Sequence, residues 1–196
     1  MIKLRFNRVA NDETARYIVK SLEIIPPKIK RLVDETGMQI YCFNKGFKPS
    51  AIGLLQPYST FADGRSEDEI SAFYAHGNVI CFFDEDVFYP EQNNEKAFST
   101  VLHEYGHAVD HALAVRNDPE SFFISYGNGT IREGWEKHKA LDEYADTNPM
   151  EYFAQAFMAY FMDRTRYIPW NYREHTRLEL MRRGRNMFDY IKSLAG

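Results

Sequence analysis

Cysteine is scarce, with only Cys42 and Cys81 among 196 residues. Two thiols cannot build a disulfide framework. Each sits in a strand-like run, so both are expected as reduced core residues. Long apolar runs are also lacking. No stretch free of polar and hydroxylated side chains exceeds the five residues of Val79 to Phe83, against the roughly 20 that a bilayer span needs. No membrane crossing is expected. The N-terminus, Met1-Ile2-Lys3-Leu4-Arg5-Phe6, has neither an apolar signal core nor a small-residue cleavage site, which predicts a chain that stays where it is made unless a leader has been removed. Nor is there an excess of positive charge: 24 Lys and Arg stand against 28 Asp and Glu, a net charge of −4. Nucleic acid needs a basic surface and is excluded as the main partner.

What is present is an ordinary globular composition, 44% apolar and 27% charged, with 30 aromatic residues to build a core. No internal repeat of about 20 to 50 residues appears. Asn11 to Glu35 reads as helix broken at Pro26-Pro27, because proline removes a backbone donor, and Gly37 ends it. Gln39 to Phe43 reads as a strand, and a loop rich in Gly, Pro and Ser runs on to Gly64. Ile70 to Tyr74 and Val79 to Phe83 read as two strands joined at His76-Gly77-Asn78. From Glu95 onward the pattern is helical, with breaks at Gly127-Asn128-Gly129 and Pro169. The expected class is α+β. One domain over 1–196 is expected, with a helix-and-sheet part to about 94 and a helical part from about 95.

His103-Glu104-Tyr105-Gly106-His107 is an H-E-x-x-H sequence. Phe98, Val101, Leu102, Tyr105, Val109, Ala112 and Leu113 recur around it at helical spacing, so it lies on a helix with a buried face. Residues four apart share a side. Both imidazoles can therefore bind one metal ion, for which zinc suits best, and Glu104 beside them can take a proton from a water that such a metal activates. Gly106 costs about 1 kcal/mol relative to alanine in mid-helix, which predicts a close approach to the backbone there.

A catalytic zinc takes three protein ligands. Asp110 and Leu113 occupy the positions where an extended H-E-x-x-H-x-x-G-x-x-H motif needs Gly and His, so that pattern is excluded. His111 lies too far along the helix to join His103 and His107 on one ion. Downstream, Asn148 is a natural N-cap and Pro149 fits the first helical position. Tyr152, Phe153, Ala156, Phe157, Tyr160 and Phe161 then form an apolar stripe, with Glu151 and Gln155 turned away from it. Glu151 stands three residues after the cap, where a capping-box glutamate closes back on the helix start. Spacing alone leaves cap and ligand equally open.

His103 to Asp110, followed by Tyr144, Thr147-Asn148 and Glu151-Tyr152-Phe153-Ala154-Gln155-Ala156-Phe157, resembles the catalytic domain of the anthrax lethal factor-like zinc peptidases, gluzincins that include the Pro-Pro endopeptidases. The likeness is tight over 95–162 and weaker to the C-terminus; before 95 only the order of elements matches. It implies a zincin-like α+β fold with a small mixed sheet. It implies one zinc ion held by His103, His107 and Glu151, with Glu104 as general base and Tyr144 stabilising the reacting carbonyl. It further implies a peptide or protein substrate bound in extended form, and export from the cell. Val79 to Phe83, or its neighbour, is then the expected edge for that peptide. Asp110 matches a family aspartate and can orient a ligand, a surface aspartate being the alternative. Gln155 departs from the family glutamate and loses its charge. Two rival functions follow from the same residues: a catalytically silent zinc-stabilised binding domain, at which only Gln155 hints and against which Glu104 speaks, and the enzymatic subunit of a toxin.

Arg164, Arg166, Arg173, Arg177, Arg182, Arg183 and Arg185 form a basic C-terminal stretch, read as a solvated helical face. His76, His138 and His175 have no partner at ligand spacing and read as structural.

Overall fold

The computed structural model describes residues 6–7, 12–43, 47–54, 65–66, 69–75, 78–83, 94–138, 141–162 and 176–196. The first helix, α1 (Asp12–Ser21), runs into a single 3-10 turn at Leu22–Ile24 and then into α2 (Pro27–Glu35). The break falls at the two prolines, and Pro27 occupies the first helical turn, where its missing N–H costs nothing. Gly37 leaves the helix in the left-handed region at φ 76°.

The described residues form four short strands: β1 (Phe6–Asn7), β2 (Gln39–Phe43), β3 (Ala72–Ala75) and β4 (Val79–Phe83). They form one mixed sheet in the order β1-β2-β4-β3, with β1 and β4 parallel to β2, and β3 antiparallel to β4. The β3–β4 turn is held by Asn78, a non-glycine residue at φ 63°, a conformation asparagine tolerates. Its amide donates to the Thr36 carbonyl at 2.8 Å and its Oδ1 accepts from the Tyr74 hydroxyl at 3.0 Å. The hairpin is thereby tied to the end of α2.

Of the two strands expected as the edge, one is corrected here. Val79 to Phe83 is not an edge: β4 lies between β2 and β3, and all five of its residues are buried. Its unbroken apolar run suits a strand covered on both faces. Among the described residues the edge is carried by the neighbouring strand, β3, the other strand expected for it. Cys42 and Cys81 are both free and buried. They cannot pair in this fold, because the register sets Tyr41 opposite Cys81 and Cys42 opposite Phe82. Cys42 joins Ile40, Ile80 and Phe82 in the main core under the helices, whereas Cys81 joins Phe43, Phe73 and Phe83 on the opposite face.

The long helix α3 (Asn94–Asn117) crosses the sheet. It is followed by α4 (Ile124–Gly127), α5 (Gly129–His138), α6 (Pro149–Met162), α7 (Arg177–Arg183) and α8 (Arg185–Ala195). The most extensive helix packing is between α3 and α6. A stripe was expected on α6, yet every residue from Glu151 to Met162 is buried. Such a helix belongs in the middle of a fold. The crossing is tight because of one residue: a Cβ at Gly106 would meet Ala154 Cα at 2.9 Å, Ala154 O at 3.2 Å and Phe157 Cβ at 3.3 Å. The glycine therefore lets the α6 backbone press against α3 between the two histidines, next to His107.

In the described part of the basic stretch Arg182 and Arg185 are exposed, as expected, whereas Arg177 is half-buried. Arg182 and Arg183 pair with Glu179, and Arg185 with Asp189, while Arg177 lies over the Tyr160 ring. Arg164, Arg166, Arg173, His76, His175 and the His138 side chain lie outside the described residues. Among the described residues, no helix is long and apolar enough to cross a membrane.

Candidate metal centre

His103 and His107 sit one turn apart on α3, and Glu151 faces them from the first turn of α6. Ala154, which touches Gly106, is one turn beyond Glu151, so the close crossing brings the carboxylate to the imidazoles. His103 Nε2 and His107 Nε2 are 3.1 Å apart, and Glu151 Oε2 lies 3.1 Å from the first and 3.3 Å from the second. All three residues are buried, with 4–8% of their surface exposed. Three donor atoms thus form a nearly equilateral triangle. Tetrahedral ligands about 2.05 Å from zinc are about 3.3 Å from one another, so this donor set fits such an ion in spacing as well as in chemistry. It is the cluster among the described residues able to hold a metal.

The choice between cap and ligand for Glu151 is not exclusive. Its backbone N–H donates to Asn148 Oδ1 at 2.9 Å, capping α6. Its side chain turns the other way, into the triangle. Burial alone would raise the Glu151 pKa, but His107 and His103 outweigh it and hold the carboxyl well below its usual range. Burial would lower His107, but the carboxylates of Glu151, Glu104 and Asp110 outweigh it, and the imidazole pKa is raised. Without metal, Glu151 and His107 each favour the charged form of the other.

Glu104 is buried beside the triangle, and that burial raises its pKa against the pull of His103, His107 and Arg65. Asp110 is fully buried rather than on the surface. Its Oδ1 accepts from the Ser125 N–H at 2.9 Å, and burial lifts its pKa to about 7. It acts on His107 through charge, and it ties α3 to α4. His111 takes no part in the cluster, since its Nδ1 donates to the Phe122 carbonyl at 2.7 Å.

Tyr144 comes to the site from the α5–α6 connection, its ring 5.7 Å from that of His103. The turn carrying it is pinned twice. Asp142 Oδ1 accepts from the Ala145 N–H at 2.7 Å, and Trp135 Nε1 donates to the Asp146 carbonyl at 3.2 Å. Asp142 Oδ2 accepts from Gln155 Nε2 at 2.9 Å. The departure at Gln155 acquires a physical reason here: an amide donates to Asp142, whereas an ionised glutamate would repel it. Asp142 carried no sequence signal beyond being one acidic residue among many.

Two adjoining hollows share Arg65, Ala72, Glu104 and Tyr144, and together form a cleft along β3. His107, Glu151 and Met150 line one end, and His103, Ser99 and Gln155 the other. Arg65 is the second residue that sequence reasoning missed. It lies in no motif and is separated from Glu104 by 39 positions, so only the fold brings the two together.

The family model described as anthrax toxin lethal factor, N- and C-terminal domain, matches residues 6–194. The chain belongs to this family. Among solved structures it is similar to a Pro-Pro endopeptidase, PPEP-2 from Paenibacillus alvei. The TM-score is 0.66 at 20% identity, over 97% of this chain and 96% of that one. No curated protein matches the sequence. The α+β zincin-like fold expected from the sequence is therefore the fold of this lethal factor-like chain, and its family supports a peptidase.

Proposed function

We propose that this chain, over 1–196 as one domain, is a zinc-dependent endopeptidase. The observation that carries the reading is the meeting of the His103–His107–Glu151 triangle with Glu104 and Tyr144 in one cleft along a sheet edge. His103, His107 and Glu151 would hold the ion, which when bound polarises a carbonyl and acidifies water. Glu104 takes the proton of the attacking water and returns it to the departing amine. Its buried position favours that task, because a base works best when its pKa approaches the working pH. Tyr144 donates its hydroxyl to the oxyanion that develops on the carbonyl, and as a neutral donor it does not compete for the ion. The substrate lies extended against β3, whose outer edge offers backbone groups to an added strand.

The test is hydrolysis of an unfolded protein by the zinc-loaded chain, with and without a chelator. Cleavage that stops on chelation and returns with zinc is expected. Cleavage indifferent to the chelator would refute the metallopeptidase reading.

A further inference from the structure

The two ends of the cleft differ in a way the proposed chemistry does not use. The end at His103 is lined mostly by polar side chains, Ser71, Ser99, Thr100 and Gln155. The end at His107 is lined chiefly by Ile70, Phe73, Tyr74 and Met150. Just past it the apolar surface continues onto α4 and the residues before it. The Tyr74 ring centroid is 6.3 Å from that of His107, and Phe123 meets Tyr74 edge-on at 6.0 Å. Tyr126 follows, 6.4 Å from Phe123. Tyr126 is 50% exposed and Phe122 61%. The segment that carries these rings is nonetheless held in place. His111 Nδ1 donates to the Phe122 carbonyl at 2.7 Å, and the Ser125 N–H donates to Asp110 Oδ1 at 2.9 Å. Both anchors lie on α3, about one turn past His107. On its other side α4 packs against α6, whose first turn carries Met150 and Glu151. Burial, and then the charges of Asp110 and Glu151, raise the Tyr126 phenol above its usual range, in keeping with a ring near the metal ligands.

We infer that Tyr74, Phe123 and Tyr126 form a substrate subsite that selects an aromatic or large aliphatic side chain on one side of the scissile bond, a deepening that rests on the peptidase reading. An exposed aromatic face gains by covering its area with an apolar side chain, and paired rings add to that burial. The segment is already fixed on α3, so little ordering is needed to use it. The occupant is the peptide itself because the surface is continuous with the cleft: Tyr74 lines the hollow beside His107, and its ring meets that of Phe123. The rings step from His107 to Tyr74 in 6.3 Å and on to Phe123 in 6.0 Å. An extended chain advances about 3.3 Å per residue, which puts the selected side chain within about four residues of the cut. One methylene in an enclosed apolar pocket is worth about 10- to 200-fold; on this open shelf a whole side chain should give about tenfold.

The experiment is cleavage of a peptide series with Phe, Leu, Ser or Lys at each of about four positions on either side of the cut, by wild type, Tyr126→Ala and Tyr126→Phe at matched zinc content. Wild type should prefer Phe over Ser by about tenfold in kcat/KM at one position. Tyr126→Ala should lower that ratio by about threefold or more. Tyr126→Phe should keep it, since the ring rather than the hydroxyl makes the contact. An unchanged ratio in Tyr126→Ala overturns the inference. So does an equal loss on all peptides, or a loss in Tyr126→Phe as large as in Tyr126→Ala, since the phenol would then act on the metal centre. A preference for Lys at that position overturns it too, because the rings would be reading a cation. Dimerisation on sedimentation that Tyr126→Ala abolishes, with the peptide ratios unchanged, would assign the shelf to a second copy of the chain instead. Binding of the same peptides to zinc-loaded Glu104→Gln protein, with and without Tyr126→Ala, separates the two claims. If wild type cleaves nothing, the peptidase reading fails, while a Phe-over-Ser binding preference that Tyr126→Ala removes still upholds the selection and its absence overturns it.

Discussion

Gly106→Ala adds one methyl group and should disable the site from behind. The new Cβ would lie 2.9 Å from Ala154 Cα and 3.2 Å from its carbonyl oxygen. Carbon atoms in contact prefer about 3.5–4.0 Å, so α3 and α6 must part by roughly 0.6 Å or more, because both contacts are backbone and no rotamer relieves them. Overpacking costs about 1–3 kcal/mol, and a clash with fixed atoms belongs at the upper end. Alanine returns about 1 kcal/mol through helix propensity. The net loss is about 2 kcal/mol, or a fall in Tm of about 4–8 °C for a chain of this size. The metal should suffer more. A ligand set tolerates about 0.2 Å, and Glu151 is one turn from the point of contact. Zinc affinity, measured by competition with a coloured chelator, should fall by at least about 10–100-fold. Gly127→Ala is the control, since nothing lies within 4 Å of a Cβ there. If Gly106→Ala matched that control in both melting and zinc affinity, the close crossing would not be what sets the carboxylate.

Tyr144→Phe should lower turnover about 100- to 1,000-fold, near 3–4 kcal/mol, while Tm and substrate affinity hold; a purely structural tyrosine would lower Tm and spare turnover per folded molecule. Glu151→Ala should lose zinc by elemental analysis while keeping α6, because the cap bond uses its backbone, whereas Asn148→Ala should cost about 1 kcal/mol on thermal unfolding and retain zinc. Metal-free protein should lose stability from about pH 4.5 upward, because its native state keeps Asp110 protonated to about 7 and raises both Glu104 and His107, so the unfolded chain binds fewer protons. Glu151, held low, adds stability above its ordinary pKa of 4.5 that is lost only as the pH falls below it. Melting at about pH 5.5 should thus exceed that at about pH 8 without metal and the order should reverse with zinc, whose ligands must be deprotonated; the same order in both states would contradict these assignments.

The helical half of the chain was the more legible. Helical spacing put His103 and His107 on one side of α3, and the cost of a mid-helix glycine anticipated the α6 contact at Gly106. Asn148-Pro149 marked the start of α6, although spacing could not separate cap from ligand at Glu151. The structure shows why: backbone and side chain of one residue serve both. The sheet was less legible, because strand order depends on pairings between distant segments. The five-residue apolar run of β4 was expected, with its neighbour, as the edge, whereas its burial on both faces makes it an inner strand, and only the pairing with β2 and β3 separates the two. Asp142 and Arg65 escaped for the same reason. Each draws its meaning from a neighbour 13 or 39 positions away: Gln155 and Glu104.

The most direct test of the central claim is turnover of Glu104→Gln at matched zinc content. The substitution keeps size and leaves the His103–His107–Glu151 triangle in place, but removes the group that takes the proton. Equal zinc occupancy with most of the turnover lost is the expected result. Undiminished proteolysis by that variant would contradict the account.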